Sequence, residues 1–248
     1  MSTPPQPERD LATELAALAR ALQERRDVAD VRADIVAAAV RLVPGADHAA
    51  LSLQERTGLR SAAATGESAR RTDTLQYWCR QGPSVQAVDD AAAVRADLHR
   101  ETRWPEFTPR ALDRGVGSVL ALPLTQKGAQ GALLLFSPAV SAFTADDERI
   151  AGLVAAHAGA ALAAAHERAH LRAALESREV IGQATGVLME RNRLPAEDAF
   201  AALSRASQNT NRKLREVAEH LVRARAADPA APGRRGGNRS ADPAAPPV

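Results

Sequence analysis

From Thr144 to Asn192 the sequence runs without a proline, and most of its residues favour a helix. Ile150, Leu153, Val154, His157, Ala161, Leu162, Ala165, Leu171 and Leu175 mark a stripe too long for one ordinary globular helix. A connecting helix, coiled with a second copy of itself, accounts for that length. Ser141 and Thr144 precede the acidic turn Asp146-Asp147-Glu148, which suits the positive end of a helix. Gly182 and Gly186 stand one turn apart inside the run, on roughly the same face as Glu179 and Met189. Each glycine costs about 1 kcal/mol relative to alanine. The expectation is a notch bare of side chains, with a neighbouring helix packed against Gly182, Gly186 and Met189.

Ahead of this rod, apolar residues recur at helical spacing from Leu11 to Leu42, with a break near Asp27, which predicts two amphipathic helices. After Pro44-Gly45 the period changes to that of strands. One hairpin is expected around Thr57-Gly58 and a second around Lys127-Gly128. Between the hairpins lie about 50 residues that include LQYWCRQGPS and ETRWPEFTPRAL, the expected wall of a ligand pocket. Tyr77, Trp78, Ser84 and Trp104 are the candidate pocket residues, though core packing explains each as well. Beyond the rod, Pro195 opens a helix with Ala199, Phe200, Leu203 and Ala206 on its apolar face. SQNTN (207–211) breaks the pattern, and a third helix carries Leu214, Val217, Ala218, Leu221 and Val222. The fold class is therefore α+β: an antiparallel sheet with flanking helices, linked by a long helix to a three-helix bundle. Residues 1–10 are Pro-rich, residues 227–248 are rich in Pro, Gly and Ala, and both are expected to be disordered.

The start MSTPPQPERD lacks the features of a signal peptide, and no stretch reads as apolar enough to span a bilayer. A cytoplasmic protein is expected. Cys79 is the only cysteine, which leaves no internal disulfide and no cysteine-based zinc site within one chain. HERAH at 166–170 matches the zinc-protease pattern H-E-x-x-H, but it lies mid-helix without a third ligand or a cleft, so a solvated helix face is the better account. No nucleophile elbow or phosphate loop occurs, and no enzyme activity, metal or cofactor is read from the sequence. Residues 1–166 hold 18 basic and 20 acidic side chains, while residues 167–226 hold 11 and 8. The positive balance thus sits beside a cluster of Arg205, Ser207, Gln208, Asn209, Asn211, Arg212, Lys213 and Arg215. Amides can satisfy base edges, and guanidinium groups can grip phosphate or stack on an unpaired base. Phe200 is the segment's only aromatic and is expected to be buried, which argues against stacking on an aromatic ring.

The segment ESREVIGQATGVLMERNRLPAEDAFAALSRASQNTNRKLREVAEHLV (176–222) closely resembles the ANTAR domain, a three-helix RNA-binding module of bacterial antitermination regulators. Carrying the resemblance are Arg178, then Ala184, Gly186, Leu188 and Met189, Ala199-Phe200, Ser207, and N-x-K-L-x-x-V-A from Asn211 to Ala218. Residues 11–165 resemble a GAF domain of the kind fused to ANTAR modules in actinobacteria, through 103–124, GALLLFS (131–137) and 142–162. Relatives often have G-P-C where this chain has Gly82-Pro83-Ser84. The resemblance implies a GAF sensor over 11–165, with a small-molecule or protein signal, and an RNA-binding domain over 166–226. It implies a homodimer through the connecting helix, with paired modules gripping tandem RNA hairpins so that a terminator does not form. RNA contacts are then expected at Arg178, Arg205, Ser207, Asn209, Asn211, Arg212 and Lys213. A DNA-binding regulator, a protein-interaction module and a GAF-domain reductase are the competing readings.

Overall fold

Consecutive apolar residues in a strand require cover on both faces of the sheet, because neighbouring side chains point to opposite sides. The runs SVLALPL and GALLLFS meet that requirement in the computed structural model, which describes residues 6–126 and 129–227. Strands β1 (His48–Glu55), β2 (Gly58–Ala64), β3 (Val94–Asp97), β4 (Ser118–Gln126) and β5 (Ala129–Ser137) form one antiparallel sheet in the order β2-β1-β5-β4-β3. Leu51, Leu53, Leu120, Leu122, Leu133 and Leu135 point to one face. There they meet helices α1 (Gln6–Glu24), α2 (Val28–Leu42) and the first part of α6 (Ala145–Asn192). Ala50, Val119, Ala121, Leu134 and Phe136 point to the other, packed with Trp104 and Phe107. Helices α3 (Glu67–Cys79), α4 (Pro83–Asp90) and α5 (Phe107–Leu112) contribute to that second core.

The two expected hairpins are β1-β2 and β4-β5; residues 127 and 128 of the second turn lie outside the described residues. The intervening segment holds more order than the sequence pattern predicts, namely α3, α4, β3 and α5. Asp27 ends the first helical pair's break as the N-cap of α2, accepting from the Ala29 N–H at 2.8 Å. Helix α1 begins at Gln6, inside the stretch expected to be loose, and Ala227 closes α8 (Leu214–Ala227). The rest of both expected tails, 1–5 and 228–248, lies outside the described residues.

Helix α6 does run unbroken, for 48 residues. Thr144 and Asp147 start it with reciprocal hydrogen bonds: the Asp147 N–H donates to Thr144 Oγ1 at 3.2 Å, and the Thr144 N–H donates to Asp147 Oδ2 at 2.8 Å. Ser141, offered with Thr144 as a cap, instead takes a left-handed backbone (φ 53°) and donates to Asp97 Oδ2 at 3.2 Å. One 18-residue window of α6, with mean hydropathy 1.2, is apolar enough to cross a membrane by length and composition. That corrects the expectation that no such stretch exists. The window's composition has a packing cause, since Ala151, Val154, Ala155, Ala158, Leu162 and Ala165 are buried against the sheet.

The chain divides into compact units at His170 and Leu171. In the second, α6 beyond residue 171 packs with α7 (Ala196–Thr210) and α8 around Ala184, Leu203 and Ala218. Arg193 and Asn211 end α6 and α7 in the left-handed conformation, with φ 52° and 49°. The Arg212 N–H then reaches back to the Ser207 carbonyl at 3.2 Å, so α7 continues through most of the polar segment expected to break it.

Asp147 also accepts from the Gly45 N–H at 3.1 Å, tying α6 to the α2-β1 connection. Burial pushes this carboxyl up, but its bonds from Thr144 and Gly45 prevail and hold it below the ordinary aspartate value. A folded pKa below the unfolded one gives stability that is present above the unfolded value and lost as pH falls through the folded value. Asp147→Ala is expected to lower stability by about 1–2 kcal/mol at neutral pH and to flatten the acid limb of a thermal melt taken from pH 7 downward.

Candidate functional site

Helix α3 lays its inward stripe on β1 and β2, and that stripe is polar: Ala69, Thr72, Asp73 and Gln76 are buried at helical spacing. Beneath it Ser52 interrupts the alanine and leucine alternation of β1 at a β-bulge between Leu51 and Ser52. On the other side of β1, Gly131 of β5 permits a close backbone approach, since a Cβ there would stand 1.9 Å from the Ser52 carbonyl oxygen.

The buried groups form one network. Ser52 Oγ donates to Asp73 Oδ1 at 2.8 Å, the Tyr77 hydroxyl donates to the same oxygen at 2.6 Å, and Gln76 Nε2 reaches it at 3.2 Å. Ser52 Oγ and the Tyr77 hydroxyl also touch each other, so their two protons are shared among three mutually close oxygens. Gln76 carries the network to α4, where its Oε1 accepts from the Ser84 N–H at 2.6 Å and its Nε2 donates to Ser84 Oγ at 3.2 Å. Gly82 is required at this junction: its φ is +139°, and a Cβ would lie 2.6 Å from Gln76 Oε1. Asp73 Oδ2 is buried with no hydrogen-bond partner among the described residues. Burial pushes the Asp73 carboxyl up, against the hydroxyl donors that favour its charged form. Burial, with the adjacent Asp73, likewise raises the Tyr77 phenol.

The four candidate pocket residues therefore separate. Tyr77 and Ser84 meet in this network, together with Ser52, Asp73 and Gln76, which the sequence pattern did not single out. The available signal was the serine breaking the inward alternation of ALSL. Trp78 points away, 87% exposed, because it follows the buried Gln76-Tyr77 face by a third of a turn. Trp104 is buried edge-on against Phe107, ring centres 6.1 Å apart, with the Arg103 guanidinium 4.6 Å over its ring. It borders an open groove of about 390 Å³ lined also by Arg80, Gly82, Val85 and Asp89. Cys79 is half-buried at the end of α3. In the HERAH segment, His166 Nε2 lies 3.3 Å from Arg32 Nη2, and no group of three metal-ligating side chains occurs among the described residues.

The glycines require a correction. Gly182 and Gly186 are exposed, and a Cβ on either would meet nothing within 4 Å. Each lies two residues from Ala184, about 200° around the helix, so they face away from the bundle. Ala184 and Ala218 give α6 and α8 the small core side chains that the glycines were expected to supply. Met189, 36% exposed, shares the outward face with Leu171 and Leu175, which are 60% and 68% exposed, and with Arg178. Phe200 is the second correction: it is 46% exposed rather than buried, since Ala199 and Leu203 occupy the inward positions of α7.

Ser207, Asn211, Arg212 and Lys213 gather at the turn between α7 and α8. Ser207 Oγ donates to the Arg212 carbonyl at 2.6 Å, and the Lys213 carbonyl accepts from the Glu216 N–H at 2.9 Å. Arg205 and Asn209 stand one turn apart on the outer face of α7, and Arg178 is on α6. Arg212 pairs weakly with Glu216 at 3.6 Å; Arg215 is engaged by Glu176 and Glu219 at 3.4 and 2.8 Å.

A sheet with helices on both faces, followed by a long helix and a small helical bundle, defines an α+β sensory module carrying a second, helical domain. The chain belongs to the GAF domain family, whose model matches residues 25–163, and the ANTAR domain model matches residues 169–222. GAF is a signal-sensing domain and ANTAR an RNA-binding antitermination domain, which supports a regulator in general. Among solved structures, the bacteriophytochrome RpBphP3 from R. palustris is similar at 10% identity and a TM-score of 0.57, over 79% of this chain and 46% of that one. This chain thus spans about half the bacteriophytochrome's length. The free methionine-R-sulfoxide reductase of Neisseria meningitidis is similar at 15% identity and a TM-score of 0.52, over 67% of this chain and 96% of that one. At such identities the likeness shows the fold alone. Comparison with curated proteins gives no significant match.

Asp73 supplies a pH prediction. A folded pKa above the unfolded one gives stability that is full below the ordinary aspartate pKa of about 4 and is lost as pH rises through the folded value. Asp73→Asn keeps an acceptor for Ser52 and Tyr77 and removes the titration. Thermal melts of the wild type are expected to fall as pH rises above that range, and those of the variant to stay flat; parallel profiles would refute the assignment.

Proposed function

We propose that this chain regulates transcription antitermination in the cytoplasm. A signal received by the GAF domain passes along α6, and paired ANTAR domains hold tandem RNA hairpins so that a terminator does not form. The observation that carries the RNA reading is the turn between α7 and α8. Lys213 occupies the N-cap of α8, a position that favours Ser, Thr, Asp or Asn, and its cation stands at the positive end of the helix. Such a placement costs stability in isolation and is relieved when a phosphate binds there. Lys213 makes no ion pair among the described residues, and Arg212 has only an exposed pair to exchange for phosphate. Asn211 fits the turn through its left-handed backbone, leaving its amide for a base edge. Arg205, Ser207 and Asn209 complete the proposed RNA-binding set; Arg178, on the outward face of α6 between Leu175 and Gly182, belongs instead to the face proposed below for a second copy.

The outward stripe of α6 supports the homodimer. Leu171, Leu175, Gly182, Gly186 and Met189 recur along one exposed face, and a second copy of the helix covering it would give the bare glycine backbone a close neighbour. Leu171→Glu with Leu175→Glu is expected to convert a dimer to a monomer in sedimentation equilibrium; an unchanged mass would remove this face from the proposal.

Arg212→Ala with Lys213→Ala is expected to weaken binding of a tandem-hairpin RNA and to lower its salt slope by about one for each phosphate that the variant no longer neutralises. Duplex DNA as competitor separates the RNA reading from a DNA-binding one. Unchanged affinity and slope would exclude this surface.

A further inference from the structure

Phe200 is the only aromatic side chain after Trp104, Phe107, Phe136 and Phe143, and it is the one large aromatic of the second unit. It takes no part in the core around Ala184, Leu203 and Ala218, and nearly half of its surface is open. A single exposed phenylalanine is ordinary on a protein surface. Its neighbours give it meaning. Ser204, Ser207 and Asn211 follow at i+4, i+7 and i+11, the same flank of α7, and that flank leads directly to Arg212 and Lys213. Helical rise puts Ser204 about 6 Å beyond Phe200, the scale separating the centre of a stacked base from a group hydrogen-bonded to its edge. No acidic side chain occupies this flank between Phe200 and Lys213.

A protein partner would be met by a wider apolar patch with a desolvated centre, as at interface hot spots. Here one ring is followed by hydroxyls, an amide and two cations. That succession matches a nucleotide chain, which presents a π-face, a polar edge and a phosphate in turn.

We propose that Phe200 is the stacking platform for one unpaired base of the RNA loop, with Ser204 at that base's edge and the α7-α8 turn on the following phosphates. This assignment rests on the RNA reading above and adds the residue that engages a base.

The test uses the full chain and a tandem-hairpin RNA in which loop purines are replaced singly by 2-aminopurine, whose fluorescence is quenched by stacking. Phe200→Leu keeps an apolar side chain of similar reach and removes the ring; Phe200→Tyr keeps the ring. Phe200→Leu is expected to weaken binding about five- to 150-fold with the salt slope unchanged. Phe200→Tyr is expected to bind as the wild type, and the quenching at one loop position should vanish only in the leucine variant. Equal binding by Phe200→Leu with unaltered 2-aminopurine emission would overturn the stacking role while leaving the RNA reading intact. A wild type that fails to prefer the hairpins over duplex DNA would overturn both. Should the leucine variant unfold, the tyrosine variant and the wild-type quenching pattern still decide the matter.

Discussion

Burial of both faces of one antiparallel sheet is the constraint on which the first unit depends. It forces positions 118–124 and 131–137 of β4 and β5 to be apolar or small and assigns neighbouring leucines to separate cores, Leu133 and Leu135 to one, Leu134 to the other. With the two cores so divided, the helices must divide as well. The side that takes α6 is filled by alanine, valine and leucine, which lets a long helix lie close to the sheet. On the other side α3 can bring a polar stripe inward only because Ser52 and Tyr77 supply hydrogen bonds to its carboxyl.

The polar network therefore has a structural role. It joins β1, α3 and the start of α4 through a single carboxyl oxygen and one glutamine. Replacing Asp73 with an apolar residue would leave donors unsatisfied on both β1 and α3, whereas an apolar core is forgiving of small changes in shape. At Ser84 the backbone N–H and hydroxyl are both taken up by Gln76. The position serves as a hydrogen-bonded joint in this chain.

Strong periodicity made the architecture legible: the break at Asp27, both hairpins, the Thr144 cap of α6 and the last two helices all follow from residue spacing and turn chemistry. Short elements were less so, because β3 has four residues and α5 six, too few to show a period. Asp73 and Gln76 were invisible for a different reason. A buried polar side chain looks like an exposed one until its partners on β1 and α4 are known. The glycines and Phe200 failed in the opposite direction. Residue type suggested packing, but angular position relative to Ala184 and Leu203 decided it, and inward directions on a helix are fixed only once its neighbours are present.

The second unit rests on four buried hydrophobic side chains among the described residues, Ala184, Ala199, Leu203 and Ala218, three of them alanines. A module of that size seldom holds more than about 3–5 kcal/mol of its own. Free ligand at a hundred times its dissociation constant contributes about 2.7 kcal/mol, a comparable quantity. Occupancy and foldedness of the bundle thus become a single linked equilibrium, and the abundance of its target also sets how long the module survives proteolysis.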